Sequence, residues 1–93
     1  MTRYTVVWDQ DFERDLINTW AEADSETRAV LSFVADWADD HLAIDPDQQG
    51  QPEPEPDLRS VVVPHPSIRV AVIYQVLPAD RQVRVLRMTF QRG

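Results

Sequence analysis

The run Ile68-Arg-Val-Ala-Val-Ile-Tyr-Gln-Val-Leu77, its turn Pro78-Ala-Asp-Arg81 and the return Gln82-Val-Arg-Val-Leu-Arg-Met-Thr-Phe90 decide the fold of this chain. The first run is the most apolar in the sequence and is rich in β-branched residues, which suit a pleated surface buried on one or both sides. It reads as a central strand. Proline and aspartate mark the turn, so residues 82–90 return antiparallel to it. Upstream, Leu58 to Val63 reads as a further strand, ended by Pro64-His65-Pro66.

Working outward to the N-terminus, Tyr4-Thr-Val-Val-Trp8 is a fourth strand. Alternation places Tyr4, Val6 and Trp8 on one face and Thr5 and Val7 on the other. Asp9 is placed to cap a helix, its carboxylate accepting from free backbone N–H groups. Phe12, Leu16 and Trp20 follow at four-residue intervals, with Ile17 beside them, forming an apolar stripe of helical period. A second cap falls at Asp24 or Ser25. It opens a longer helix whose apolar set is Val30, Phe33, Val34, Trp37, Ala38 and Leu42. The short link between the helices makes them antiparallel neighbours.

The order is β-α-α-β-β-β: an α+β fold with an antiparallel sheet and a helical hairpin packed on one face. The helices must hide Phe12, Leu16, Trp20, Phe33 and Trp37 against the sheet. Nothing is left to cover the opposite face, which is expected to stay open. Residues 43–57 carry Pro46, Gly50, Pro52, Pro54 and Pro56 among glutamines and acids. The Pro-Glu alternation at 52–56 prefers extended geometry and cannot pair as a central strand. This is a Pro/Gln/Glu-rich surface loop, longer than most connections in compact domains.

Composition narrows the chemistry. The chain has 93 residues, 43% apolar and 27% charged, which describes one domain spanning residues 1–93. No cysteine is present, which excludes disulfides and thiolate chemistry. No apolar run reaches the roughly 20 residues of a membrane span, and no signal peptide is evident, so the expected location is the cytoplasm. Net charge is −7, carried unevenly. Residues 1–56 hold three arginines against fourteen acids, and residues 57–93 hold six arginines against two acids. Lysine is absent. Such asymmetry between halves marks an interaction surface, although an acidic helical surface also serves solubility alone. The acids Asp36, Asp39, Asp40, Asp45 and Asp47 match no calcium-loop spacing and read as a solvated surface. Neither a metal site nor a cofactor is expected.

Together these residues resemble the RelE/ParE superfamily of small bacterial toxins, encoded in type II toxin–antitoxin pairs and often labelled plasmid-stabilisation proteins. The resemblance spans nearly the whole chain. It rests on the Tyr4–Trp8 strand followed by Asp11-Phe-Glu-Arg-Asp-Leu16 and Trp20, and on Asp45-Pro46 and Gly50 after the second helix. Its best part is Arg69-Val-Ala-Val-Ile-Tyr-Gln-Val76 with Asp80-Arg-Gln-Val-Arg-Val-Leu86.

The resemblance implies a domain wrapped by an antitoxin protein. It implies either a metal-independent, ribosome-dependent mRNA endonuclease or a non-nucleolytic toxin directed at DNA gyrase. Arg69 matches a family arginine that contacts phosphate. Where nuclease members carry lysines, this chain has Ser60, Val61, Val62 and Val63, and their C-terminal arginine and tyrosine have no counterpart before Gly93. A general acid is therefore not evident, since Tyr74 belongs to the structural pattern. The candidate catalytic residues are Arg69 and His65, the latter able to titrate near neutrality. The candidate partner- or phosphate-binding residues are Arg59, Arg69, Arg84, Arg87 and Arg92. Arg84 and Arg87 stand three apart on one strand, so alternation sends them to opposite faces and at most one joins Arg69. The expected function is the toxin-like half of such a pair, without strong nuclease activity. The alternatives are an active mRNA endonuclease and a degenerate, non-toxic interaction domain on the same fold.

Overall fold

A computed structural model describes residues 3–91 of the chain. The elements run β1 (Thr5–Trp8), α1 (Gln10–Glu22), α2 (Ser25–His41), β2 (Gln51–Pro52), β3 (Leu58–Val63), β4 (Arg69–Leu77) and β5 (Gln82–Gln91). One five-stranded sheet has the order β1-β5-β4-β3-β2, with β4 in the middle. The expected caps are in place. Asp9 accepts from the Phe12 N–H at 3.2 Å and Asp24 from the Thr27 N–H at 2.8 Å. The Asp24 carboxyl is held below its ordinary value by these Thr27 hydrogen bonds, the backbone N–H above all.

The sheet is mixed and not wholly antiparallel as expected. The β2–β3, β3–β4 and β4–β5 pairs are antiparallel, but β1 lies parallel to β5, Val6 against Val83 and Trp8 against Val85. The cause is where the helical hairpin returns the chain. The end of α2 comes back beside the start of β1, with the Tyr4 N–H donating to the Ala43 carbonyl at 2.6 Å and Arg3 bridging to Ile44. The chain therefore enters β3 in the same direction as β1, and the β3-β4-β5 meander leaves β5 pointing the same way.

The core lies between the sheet and α2. Val34, Ala38 and Leu42 pack with Val63, Val70, Val72, Tyr74, Val83 and Val85, all essentially inaccessible. The tryptophans and phenylalanines are less hidden than the sequence suggests. No residue of α1 is fully buried. Ile17 is 59% exposed, Trp20 43% and Phe33 41%. A 13-residue helix joined to α2 by two residues is held at its ends: Phe12 stacks on Trp8, and the Arg28 guanidinium lies 4.5 Å over the Trp20 ring while donating to the Trp20 and Ala21 carbonyls. Trp8 also donates from Nε1 to Asp39, pinning β1 under the end of α2.

The 43–57 segment is more ordered than a plain loop. Pro46–Gln48 forms a short 3-10 turn and Gln51–Pro52 adds a two-residue edge strand on β3. Pro46 is buried, and the Tyr74 hydroxyl lies 2.8 Å from its carbonyl and 3.0 Å from that of Gln49. Gly50 has φ +62°, and a Cβ there would stand 2.0 Å from the Ser60 carbonyl oxygen, so glycine alone fits this close approach.

Candidate functional site

The face of the sheet away from the helices is built by alternation from β4. Val70, Val72, Tyr74 and Val76 point to the core, so Arg69, Ala71, Ile73 and Gln75 point outward. Their partners share that face: Gln91 beside Arg69, Thr89 beside Ala71, Arg87 beside Ile73 and Arg84 beside Gln75. The two β5 arginines thus lie on the same face as Arg69, against the strict-alternation expectation. The register shifts between Ile73 and Tyr74, whose partners are Arg87 and Val85, so Leu86 is left over as a β-bulge. One extra residue returns the next side chain to the face it would otherwise have left.

From Arg69 to the Arg87 row is four strand residues, about 13 Å at about 3.3 Å each. The three guanidinium groups are therefore spaced along a strip and do not converge on one point. Among the described residues the ion pair is Arg14 with Asp11 on exposed α1, so none of the three arginines is ion-paired there. A carboxylate does reach this face: that of Glu53 accepts from the Ser60 hydroxyl at 3.3 Å. An open depression of about 630 Å³ lies over the upper part of the strip, lined by Ser60, Val62, Arg69, Ala71, Thr89 and Gln91 together with Gly50 and Gln51. Small Ala71 and short Ser60 and Thr89 make the hollow. A second depression of about 380 Å³ shares Val62 and Arg69 and extends to His65, Pro66 and Ile68.

The structure brings His65 and Arg69 to this one hollow. The His65 Nδ1 accepts from the Ser67 N–H at 3.1 Å, and its ring meets Phe33 edge-on at 5.2 Å, which leaves Nε2 as the nitrogen without a bond among the described residues. Arg59 sits elsewhere. It pairs with Tyr74 on the core side, and its Nε donates to the Gln49 carbonyl at 2.9 Å, so it clamps the 43–57 segment. Arg92 lies outside the described residues. Tyr74 faces the core, away from the hollow. Burial pushes its hydroxyl above the ordinary tyrosine value, and the neighbouring Arg59 partly opposes that. It offers the open face no proton donor.

Gln51, Thr89 and Gln91 were not singled out by sequence. Counting forward by twos from Arg69 finds Ala71 and Ile73, but the cross-strand partners follow only from the register and the bulge. Among the described residues no group of three or more His, Asp or Glu side chains is placed to hold a metal ion, and no helix is long and apolar enough to cross a membrane.

Comparison with known proteins places the fold. No protein-family model matches the chain, and no curated protein matches it significantly. Among solved structures it is similar to the RelBE2 toxin–antitoxin complex of Mycobacterium tuberculosis, with TM-score 0.72 and 21% identity over 100% of this chain and 97% of that one. It is also similar to the chromosomal ParDE system of P. aeruginosa, with TM-score 0.70 and 12% identity over 97% and 96% of the two chains. The isolated E. coli RelE toxin matches with TM-score 0.55 and 18% identity, covering 97% of this chain and 87% of that one. The chain has the RelE/ParE fold.

Proposed function

We propose that this chain is the toxin-like component of a bacterial type II toxin–antitoxin pair, neutralised by an antitoxin polypeptide and without strong nuclease activity. One observation carries the reading: a RelE/ParE fold whose sheet face away from the helices bears Arg69, Arg84 and Arg87 on one strip, none of them ion-paired among the described residues. Three cations strung along a strand suit an elongated anionic ligand, and charge-assisted guanidinium–carboxylate bonds are among the strong contacts a polypeptide makes. Between them the half-buried Ala71 leaves room for a side chain interleaved with those acids, while Ile73 is already buried among its neighbours.

The ribosome-dependent mRNA endonuclease is the second reading, favoured by Arg69 and His65 lining the same hollow. Cleavage there needs a base for the 2′-hydroxyl and an acid for the leaving 5′-oxygen. His65 Nε2 supplies one such group, and the described face supplies no second. The acidic helices also work against binding ribosomal RNA, where phosphate contact needs cation density.

The test is expression in a naive host with and without the product of the adjacent reading frame. The expected result is growth arrest relieved by the neighbour, co-purification of the two proteins, and no new message ends in primer extension with translating ribosomes. Specific cleavage lost in Arg69→Ala would establish the nuclease. Arrest without cleavage directs attention to DNA gyrase. Harmless expression and no binding of the neighbour would leave a non-toxic interaction domain and overturn the proposal.

A further inference from the structure

The ladder between β3 and β4 ends at Val63 and Val70, so the chain from Pro64 to Arg69 crosses between the two strands without it. Pro64 and Pro66 have no N–H to give. Among the described residues two hydrogen bonds close this turn: the His65 N–H donates to the Val63 carbonyl at 2.9 Å, and the Ser67 N–H to the His65 Nδ1 at 3.1 Å. A half-buried imidazole thus accepts where a backbone carbonyl accepts in an ordinary turn. Because an N–H only donates, Nδ1 holds a free lone pair and the ring proton sits on Nε2. The closed turn therefore needs one tautomer of the neutral ring. A proton taken up from water goes to Nδ1, and the lone pair that held Ser67 becomes an N–H facing an N–H.

The chain's other histidine is built the opposite way. His41 Nδ1 lies 2.9 Å from the Trp37 carbonyl, which only accepts, so that nitrogen is already protonated and its bond survives when the ring is charged. Histidine is the side chain whose ordinary charge change falls between pH 5 and 8. We propose that the Pro64–Ser67 turn is a pH-sensitive latch, closed while His65 is neutral and released when Nδ1 is protonated, and that it sets the placement of Arg69. Arg69 follows Ser67 by two residues, opens β4 beyond the last β3 pair, and lines both hollows of the open face. The charges around the ring are few. Strand β4 brings Arg69, β3 brings uncharged Val62, and on α2 the acid nearest the Phe33 ring contact is Asp36, three residues on. Release of the latch leaves two cations, the ring and Arg69, in a hollow that held one, with one wall no longer fixed.

The latch belongs to the free chain, so its test needs no partner. Nuclear magnetic resonance of the full chain is followed from about pH 8 to about pH 5.5. At the upper end, ring nitrogen shifts should show His65 protonated on Nε2 alone. On acidification the Ser67 amide, corrected for the intrinsic pH dependence of exchange, should exchange about fivefold faster, the equivalent of one ordinary hydrogen bond. The Ser67 and Arg69 amide shifts should move with the midpoint of the His65 ring. His65→Asn, whose side-chain oxygen accepts from the N–H two residues on without titrating, should hold Ser67 equally at both ends. His41→Gln should respond as the natural chain does. A ring proton on Nδ1 at about pH 8, or Ser67 protection indifferent to pH, overturns the latch. Release of Ser67 with Arg69 unmoved overturns its hold on the hollow. A response kept in His65→Asn and lost in His41→Gln belongs to His41 and overturns it too.

Discussion

Tyr74 shows how much one side chain sets in this molecule. Its ring fills the core beneath α2, and its hydroxyl reaches the Pro46 and Gln49 carbonyls, fastening a proline-rich segment that has almost no apolar side chains of its own. Tyr74→Phe keeps the packing and removes the bond. The expected loss is about 1–2 kcal/mol in denaturant unfolding, because the Gln49 carbonyl keeps the Arg59 donor. Tyr74 also sets an alkaline limit. Its pKa is raised in the fold, so its contribution is complete below the unfolded value near 10.0 and is lost as pH rises through the folded value. Unfolding midpoints should therefore fall above about pH 10 in the natural chain, and less so in Tyr74→Phe. Gly50 makes the matching backbone point. Gly50→Ala should cost at least about 1–2 kcal/mol from the left-handed conformation alone, with a further loss as the Ser60 carbonyl is pushed aside and β2 lifts from β3.

Among the elements, the two helices do unequal work. Leu42, at the end of α2, is completely buried, while α1 rests on half-buried Phe12 and Leu16 and leaves Ile17 to solvent. Leu42→Ala should destabilise by about 2–5 kcal/mol, whereas Ile17→Lys should stay within about 0.5 kcal/mol, both read from equilibrium denaturation. Acid should test the caps. The Asp24 carboxyl is held below its ordinary value of 3.8 by the Thr27 hydrogen bonds, so its support of α2 is present above that pH and disappears as pH falls through the lower folded value. Helical circular dichroism should decline there more steeply than in Asp24→Asn, whose side chain keeps its capping oxygen without titrating. Strand β5 is the element in which local pattern and final geometry part company. Three-residue spacing puts Arg84 and Arg87 on opposite faces of a regular strand, and the Leu86 bulge alone unites them.

Across the whole molecule the charge division in the sequence becomes a spatial one. Acids crowd the helical half of the chain, and the strip of Arg69, Arg84 and Arg87 occupies the sheet face turned away from it. Replacing Arg84 and Arg87 together by alanine should weaken association with the adjacent reading-frame product by at least about tenfold at low salt, where screening is weakest. The same double variant should flatten the dependence of affinity on ionic strength, measured by calorimetry between low and physiological salt. An unchanged affinity and salt slope would place the partner away from this face.

Residue order alone established the strand-rich C-terminal half, the helical hairpin, the capping aspartates and the central position of β4, because alternation, helical period and caps are local properties. Arg69 stands out in the sequence through its resemblance to a family arginine, and its outward facing follows from the burial of Val70, Val72 and Tyr74 in the structure. The parallel pairing of β1, the anchoring of residues 43–57 and the shared face of Arg84 and Arg87 were beyond the reach of residue order. Each depends on contacts between distant segments: Ala43 beside Tyr4, Pro46 beneath Tyr74, and Ile73 choosing Arg87 while Tyr74 chooses Val85. A bulge costs one unpaired residue and is selected by how two whole strands fit together, so no window of local pattern announces it.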